Sequence, residues 1–352
     1  MTHILIFFIG ASLLLYVLLG GSDYGAGILE LLSMRSKKLR REQTRAINHA
    51  MGPVWEANHV WLILIVVILF MGFPLAFTTL MTALHVPLLA LLVGIVVRGA
   101  TFSFRHYDPV QDEKTQRVYT ILFGGSSLWT AMWLGIIAGT LNRGTIPLAR
   151  AAGEVGAVDA YILPWLDLYP FCVGLFVTCI FAFLASVYMV GETNEPELER
   201  LFIRRAAISN VCVFIAGGVV FLASLLEAKS LFALFLERPA AIAAIVIAVL
   251  LFVALWKFIK LHNVVFARVV AAGQVTMILL GWWLLYAPNA IITTEGPVSF
   301  YEVAAPRATQ LQLMLALLVG SCIIFPSLFF LLRVFKTRSE KKRRAGRDVM
   351  II

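Results

Sequence analysis

A run near the N-terminus, Trp55-Glu56-Ala57-Asn58-His59-Val60-Trp61-Leu62-Ile63, sets a carboxylate, a carboxamide and an imidazole at the head of an apolar stretch that continues to Phe70. Side chains placed there sit at or just inside the edge of a lipid bilayer. An ionisable residue at a helix centre costs about 2.5–3.5 kcal/mol on insertion scales, so chains that keep one generally use it to move protons or ions. A second acid lies on the preceding apolar segment. At about 100° per residue, Tyr16, Gly20, Asp23, Gly27 and Glu30 fall within an arc of about 80°. This stripe of small residues and acids lets another helix approach closely. Glu56 is the first candidate for proton transfer and Asp23 the second, with Trp55, Asn58 and His59 as orienting neighbours and Arg98 as a charge partner. The two carboxylates are expected to face each other across a helical hairpin. Glu30, at the expected membrane interface, reads as structural, and Trp55 and Trp61 read first as interfacial anchors.

Membrane spans must position these residues. The 352 residues are 61% hydrophobic and 14% charged, with mean hydropathy +0.90; a soluble protein of this size needs more polar surface. Windows of about 19 residues predict nine spans, at 4–33, 52–73, 76–97, 119–141, 164–190, 207–227, 240–256, 265–287 and 308–332. The first is too long for a signal-peptide core, lacks a basic leader and contains Asp23, so it reads as a retained span. In the third, Thr78, Thr82 and His85 share a face ahead of a kink at Pro87, and Arg98 closes the span. The organisation is one polytopic domain, 1–335, followed by a basic tail, 336–352.

Of the 29 Lys and Arg residues, 24 fall in segments 35–51, 98–118, 191–206, 257–268 and 333–352, all on one side of the predicted membrane. The positive-inside rule then puts the N-terminus outside and the C-terminus in the cytoplasm, with the tail resting on anionic headgroups. The net charge of +9 is thus topogenic and argues against nucleic-acid binding. Cys172, Cys179, Cys212 and Cys322 lie in apolar runs with no CxxC and read as small buried residues. Of the six histidines, His59 and His85 fall within spans; His3, His49, His106 and His262 lie near span ends or in loops. Haem ligation needs histidines or a methionine facing one another across helices, and no such spacing is evident.

Three segments resemble those of a known family. Gly21-Ser22-Asp23-Tyr24-Gly25-Ala26-Gly27-Ile28-Leu29 resembles its G-x-D-x-G-x-G-x-L element, and Gly52-Pro53-Val54-Trp55-Glu56-Ala57-Asn58-His59-Val60-Trp61-Leu62-Ile63 its G-P-V-W-[ED]-x-N-[HQ]-V-W-L-I element. Arg98-Gly99-Ala100-Thr101-Phe102-Ser103-Phe104-Arg105 is similar to the arginine-flanked close of its third helix. The family is subunit II of the cytochrome bd-type quinol oxidases. The likeness is sharp over roughly the first 105 residues and rests beyond them on helix number, length and topology. It implies an all-α fold of two four-helix bundles plus a peripheral ninth helix, in the bacterial cytoplasmic membrane. It also implies a partner, the haem-bearing subunit I, with two b-type haems, one d-type haem and the quinol site. The complex would oxidise quinol and reduce O2 to water, building a proton gradient without pumping. This chain would ligate neither haem nor metal. Its Asp23 and Glu56 would belong to a cytoplasmic proton route along the subunit interface. A structural quinone in the bundle and a small accessory subunit are compatible with the likeness. Two departures stand out: many members carry Asp at the position of Glu56, and Ala304 to Leu313 differs from the family's usual approach to the last span.

A rival reading is a proton- or cation-coupled secondary transporter, with Gly20 to Gly27 as an unwound half-helix that binds ions. Its expected counterpart, Ala216-Gly217-Gly218-Val219, carries no charge, and nine spans do not divide into equal halves. A self-sufficient haem protein is disfavoured by the histidine placement.

Overall fold

The computed structural model describes residues 1–32, 37–52, 55–108, 112–148, 156–193, 195–227, 231–261 and 263–348. Among them, nine helices are long and apolar enough to cross a membrane: Thr2–Leu31, Trp55–Gly72, His85–Arg105, Glu113–Thr140, Leu168–Met189, Pro196–Ser224, Pro239–Ile259, Val264–Tyr286 and Arg307–Phe330. An amphipathic helix, Lys37–Met51, joins the first two at the basic end, where the basic loops gather. The ninth helix runs unbroken from Arg307 to Asp348, so no backbone break separates the domain from the tail.

The first span is the hub. It is helical throughout, but Tyr16–Gly20 forms a single π turn, whose extra residue re-aims the second half of the helix. The half before the turn packs on the second and ninth spans, and the half after it packs between the fourth and fifth. Gly20 to Gly27 therefore stays helical and is not the unwound segment a transporter would need. Lipid is as apolar as a leucine side chain, so close van der Waals approach holds such helices together. A Cβ on Gly25 would lie 1.8 Å from the Phe181 carbonyl oxygen, and one on Gly135 would lie 2.6 Å from Gly174 Cα. Both contacts exist because those positions lack side chains. The sixth span packs on the fifth, and the seventh and eighth pair with each other.

The third span departs from the expected 76–97. A separate short helix, Pro74–Ala83, precedes it, the chain turns at Leu84 (φ −107°, ψ 21°), and the spanning helix starts at His85 and reaches Tyr107. Pro74 starts the short helix, where its missing N–H costs nothing. Pro87 falls in the first turn of the next helix, where proline is tolerated, so it produces no kink. Thr78 and Thr82 share no helix with His85, whose Nδ1 lies 2.9 Å from the Thr82 carbonyl oxygen. Arg98 does not close the span. It sits about 13 Å inside Tyr107 at 1.5 Å per residue.

The opposite end carries the non-helical element, an antiparallel hairpin of β1 (Asn289–Thr293) and β2 (Gly296–Ser299). Its Ile292 N–H donates to the Leu141 carbonyl (3.0 Å) and Thr294 N–H to that of Ile146 (3.0 Å), tying it to the loop after the fourth span. Arg143, in that loop, reaches Asp167 (2.6 Å) and Glu227 (3.0 Å), so one guanidinium clamps three loops. The Leu168 amide, donating at 2.6 Å, and then Arg143 hold the Asp167 carboxyl below the usual aspartate range. Its contribution to stability is therefore present above about pH 3.9, the unfolded value, and is lost as pH falls through the lower folded value. Asp167→Asn should lower the thermal midpoint at pH 7 and lower it by less at pH 3, below the unfolded value. An equal deficit at both pH values would show that the clamp is not electrostatic.

The cysteines differ from expectation: Cys172 and Cys179 are half-buried, and Cys212 and Cys322 are exposed. In a lipid-facing chain an apolar neighbourhood does not imply burial.

Candidate functional site

The acids of the first span meet the arginines of the third in two buried ion pairs. Asp23 Oδ1 lies 2.7 Å from Arg98 Nη2, and Glu30 Oε1 lies 2.8 Å from Arg105 Nη1. Asp23 and Glu30 are seven residues apart, as are Arg98 and Arg105. Seven residues are close to two helical turns and return to the same face, so two helices running in the same direction meet in equal register. The rungs lie about 10 Å apart along the axis.

Each rung is fixed by further partners. Arg98 Nε donates to Ser127 Oγ (3.1 Å) and Nη2 to the Asp23 carbonyl (3.3 Å). Its guanidinium lies 5.0 Å from the Tyr24 ring centroid and 4.8 Å from that of Phe123, a favourable arrangement for a desolvated cation. Phe123 also lies under Arg105, at 4.7 Å. Glu30 accepts from Arg105 (2.8 and 3.0 Å), Thr44 (2.6 Å) and Thr120 (3.5 Å). The amphipathic helix closes this end: Arg105 also donates to Asn48 Oδ1, and Gln43 donates to the Leu29 carbonyl at 2.9 Å. Arg205 of the sixth span donates to the same carbonyl (3.2 Å) and to Gln43 Oε1 (2.9 Å). Glu30, read from the sequence as structural, is held by partners on three helices. It is 1% exposed and the most fully bonded acid of the group.

Glu56 stands apart. It is exposed, and among the described residues it makes no hydrogen bond or ion pair. The expected confrontation of Asp23 with Glu56 does not occur, because Asn58 takes the inward face of the second span. Asn58 is 4% exposed, and its Nδ2 donates at 3.4 Å to the Leu19 carbonyl, which also accepts from Ser22 Oγ at 2.7 Å. Trp61, Ile68 and Gly72 continue that buried face. Two residues of helix are a turn of about 200°, so Glu56 points away from the first span. Trp61 is buried at 4% with its ring 5.9 Å from Phe325, and so is not an interfacial anchor. Pro53 and Val54 of the same motif lie outside the described residues.

Between the buried rungs and the exposed acid lies an aromatic group. The Tyr16 and Tyr24 hydroxyls are 3.0 Å apart. The half-buried His59 ring has its centroid 6.0 Å from Tyr24, 6.5 Å from Tyr16 and 6.2 Å from Trp55. Trp55 in turn lies 5.3 Å from Phe102 of the third span. His59 is thus ringed by tyrosine and tryptophan, and His85 meets Tyr161 edge-on at 5.0 Å. Neither faces a second histidine among the described residues, where no three His, Cys, Asp or Glu side chains converge on a metal site. Chemically, the two rungs are committed carboxylates held by cations. Glu56 is the acid of the group that no cation of the described residues holds.

Nine spans and a charge ladder buried between same-direction helices define, among the described residues, a multi-pass membrane protein. The family model described as cytochrome bd terminal oxidase subunit II matches residues 1–335, and the chain belongs to that family. It is similar to the cytochrome bd ubiquinol oxidase subunit 2 of Bacillus subtilis (strain 168), 27% identical over 165 residues, which are 47% of this chain and 46% of that one. The aligned region thus spans about half of that relative. A putative cytochrome bd menaquinol oxidase subunit II from the same organism is 22% identical over 331 residues, 91% of each chain. Among solved structures, a chain of the bd oxidase from Geobacillus thermodenitrificans matches with TM-score 0.76 at 19% identity, covering 95% of this chain and 98% of that one. That match shows a shared fold.

Proposed function

We propose that this chain is the haem-free subunit II of a bd-type terminal oxidase, paired with a haem-bearing subunit I that oxidises membrane quinol and reduces O2 to water. The chain serves as a scaffold and lends Glu56 to a proton route from the cytoplasm into the partner. The basic end faces the cytoplasm, as the distribution of Lys and Arg indicates, with the tail 336–352 on the same side. The observation that carries the reading is the placement of Glu56. A carboxyl on a membrane helix, one turn from the basic end, exposed and without a partner among the described residues of its own chain, is costly against lipid. It is reasonable against a protein surface that draws protons from it. Asp23 and Arg98 form a fixed charged station behind it. Asn58 anchors the second span so that Glu56 faces outward, and Trp55 packs beside His59. The family assignment and the helical first span leave the transporter reading without support.

Purifying the chain from its native membrane by a tag after Ile352 should bring down a second subunit whose reduced spectrum shows haem bands. A colourless monomer or homodimer would overturn the proposal.

A further inference from the structure

The sixth and seventh spans touch sparingly. Their Phe214 and Phe252 rings meet at 5.4 Å near mid-span. Between that contact and the basic end lies a groove of about 340 Å³, its open mouth included. Ile203 of the sixth span, Phe258 and Ile259 of the seventh, Val187 of the fifth and Val264 of the eighth line it. An apolar cleft at membrane depth does not hold water, and its walls gain dispersion contact only from apolar atoms seated between them. The mouth is different, for Glu199 and Asn263 stand there. Asn263 Oδ1 accepts from the Phe266 N–H (3.3 Å) and caps the eighth span. Glu199, in the first turn of the sixth span, is half-buried, and its side chain makes no hydrogen bond or ion pair among the described residues. Arg200 and Arg204, beside Glu199 and Ile203 in the chain, and Lys257, beside Phe258, are exposed and make no ion pair among the described residues. One acid and three cations thus flank the groove without neutralising one another.

We propose that this groove is a binding site for an ethanolamine phospholipid, with an acyl chain between the sixth and seventh spans, the ammonium on Glu199 and the phosphate on Arg204 and Lys257. The inference is independent of the proton route. Three features of the groove select this occupant. Its apolar lining opens sideways between two membrane helices, where an acyl chain can enter from the bilayer. Arginine and lysine at the membrane edge attract phosphate oxygens. An ionised carboxylate accepts hydrogen bonds and donates none, and it is costly beside lipid unless a cation meets it. Glu199 therefore calls for a headgroup that carries positive charge and N–H donors beyond its phosphate. Ethanolamine supplies both. Choline has the charge without the N–H groups, and an anionic glycerol headgroup has neither. A quinone ring offers no cation to the acid.

The test uses the full assembly purified through a tag after Ile352 and washed free of loosely held lipid. Mass spectrometry of the intact assembly should find an ethanolamine phospholipid as the most strongly retained lipid. When lipid-depleted wild type is offered ethanolamine and choline phospholipids with the same chains, the first should be retained about fivefold over the second, the worth of about one hydrogen bond. Glu199→Gln keeps the size of the side chain, removes its charge and should level the two. Ile203→Trp fills the groove and should lower the retention of both, with the thermal midpoint and the co-purifying subunit as the assembly check. The competition on wild type needs no variant, so a misassembled Ile203→Trp would not shield the proposal. Equal retention of the two lipids by wild type would overturn it. So would preference for an anionic glycerol phospholipid, a quinone as the retained molecule, or an undiminished ethanolamine preference in Glu199→Gln.

Discussion

Arg98→Gln is expected to cost the complex about 3–5 kcal/mol of stability, the penalty for stranding one member of a buried ion pair. Asp23 is 1% exposed and its cation lies 2.7 Å away, so the carboxyl that remains can neither reach water nor find another charge nearby. Asp23→Asn strands the arginine in the same way. The pair as a unit is worth far less than either single loss suggests, since removing both charges strands neither. The Asp23→Asn/Arg98→Gln double variant should therefore recover most of the loss of either single change. Thermal unfolding of the purified complex, read alongside haem retention, reports all three. Additive single losses would show that the two residues do not act as a pair.

Glu56→Gln is expected to depress quinol-driven O2 consumption by about 10²–10⁴-fold where proton delivery limits turnover. The assembled complex should keep its haem spectrum, because Glu56 bonds to nothing among the described residues of its own chain. Glutamine keeps the size and hydrogen-bonding capacity but cannot titrate. Glu56→Asp keeps the acid, shortens its reach by one methylene and should be tolerated. The contrast with Arg98 is informative: the same class of change should strike stability at the buried rung and turnover at the exposed acid. Full activity in Glu56→Gln with normal haem would remove it from the route, and loss of subunit association would mark it as an interface contact.

Span number and order were legible because apolar length is a local property of the chain. The register of the third span was not, because hydropathy runs smoothly across Leu84 and cannot see two helices meeting at a turn. The outward turn of Glu56 was hidden for a related reason. From Val60 onward the second span is apolar all round, so hydrophobicity does not say which face packs, and the choice fell to one polar contact, Asn58 on the Leu19 carbonyl. The Glu30–Arg105 rung left a signal that could have been read: matching seven-residue spacings of acids and arginines in two spans that run in the same direction. Nothing in the spacing said that the first and third spans meet around the fourth. Gly25 and Gly27 announced close packing, but not that Phe181 and Ser127 would be the groups they touch.

If Glu56 delivers protons to the partner from the cytoplasmic side, the rate of proton uptake on that face must depend on it. The direct measurement follows this uptake in the complex reconstituted in vesicles, during a single turnover started by O2. In wild type, uptake should keep pace with O2 reduction. In Glu56→Gln, uptake and O2 reduction should slow together while electron entry from quinol stays normal. Uptake at the wild-type rate in a fully assembled Glu56→Gln complex would contradict a delivering role for this acid.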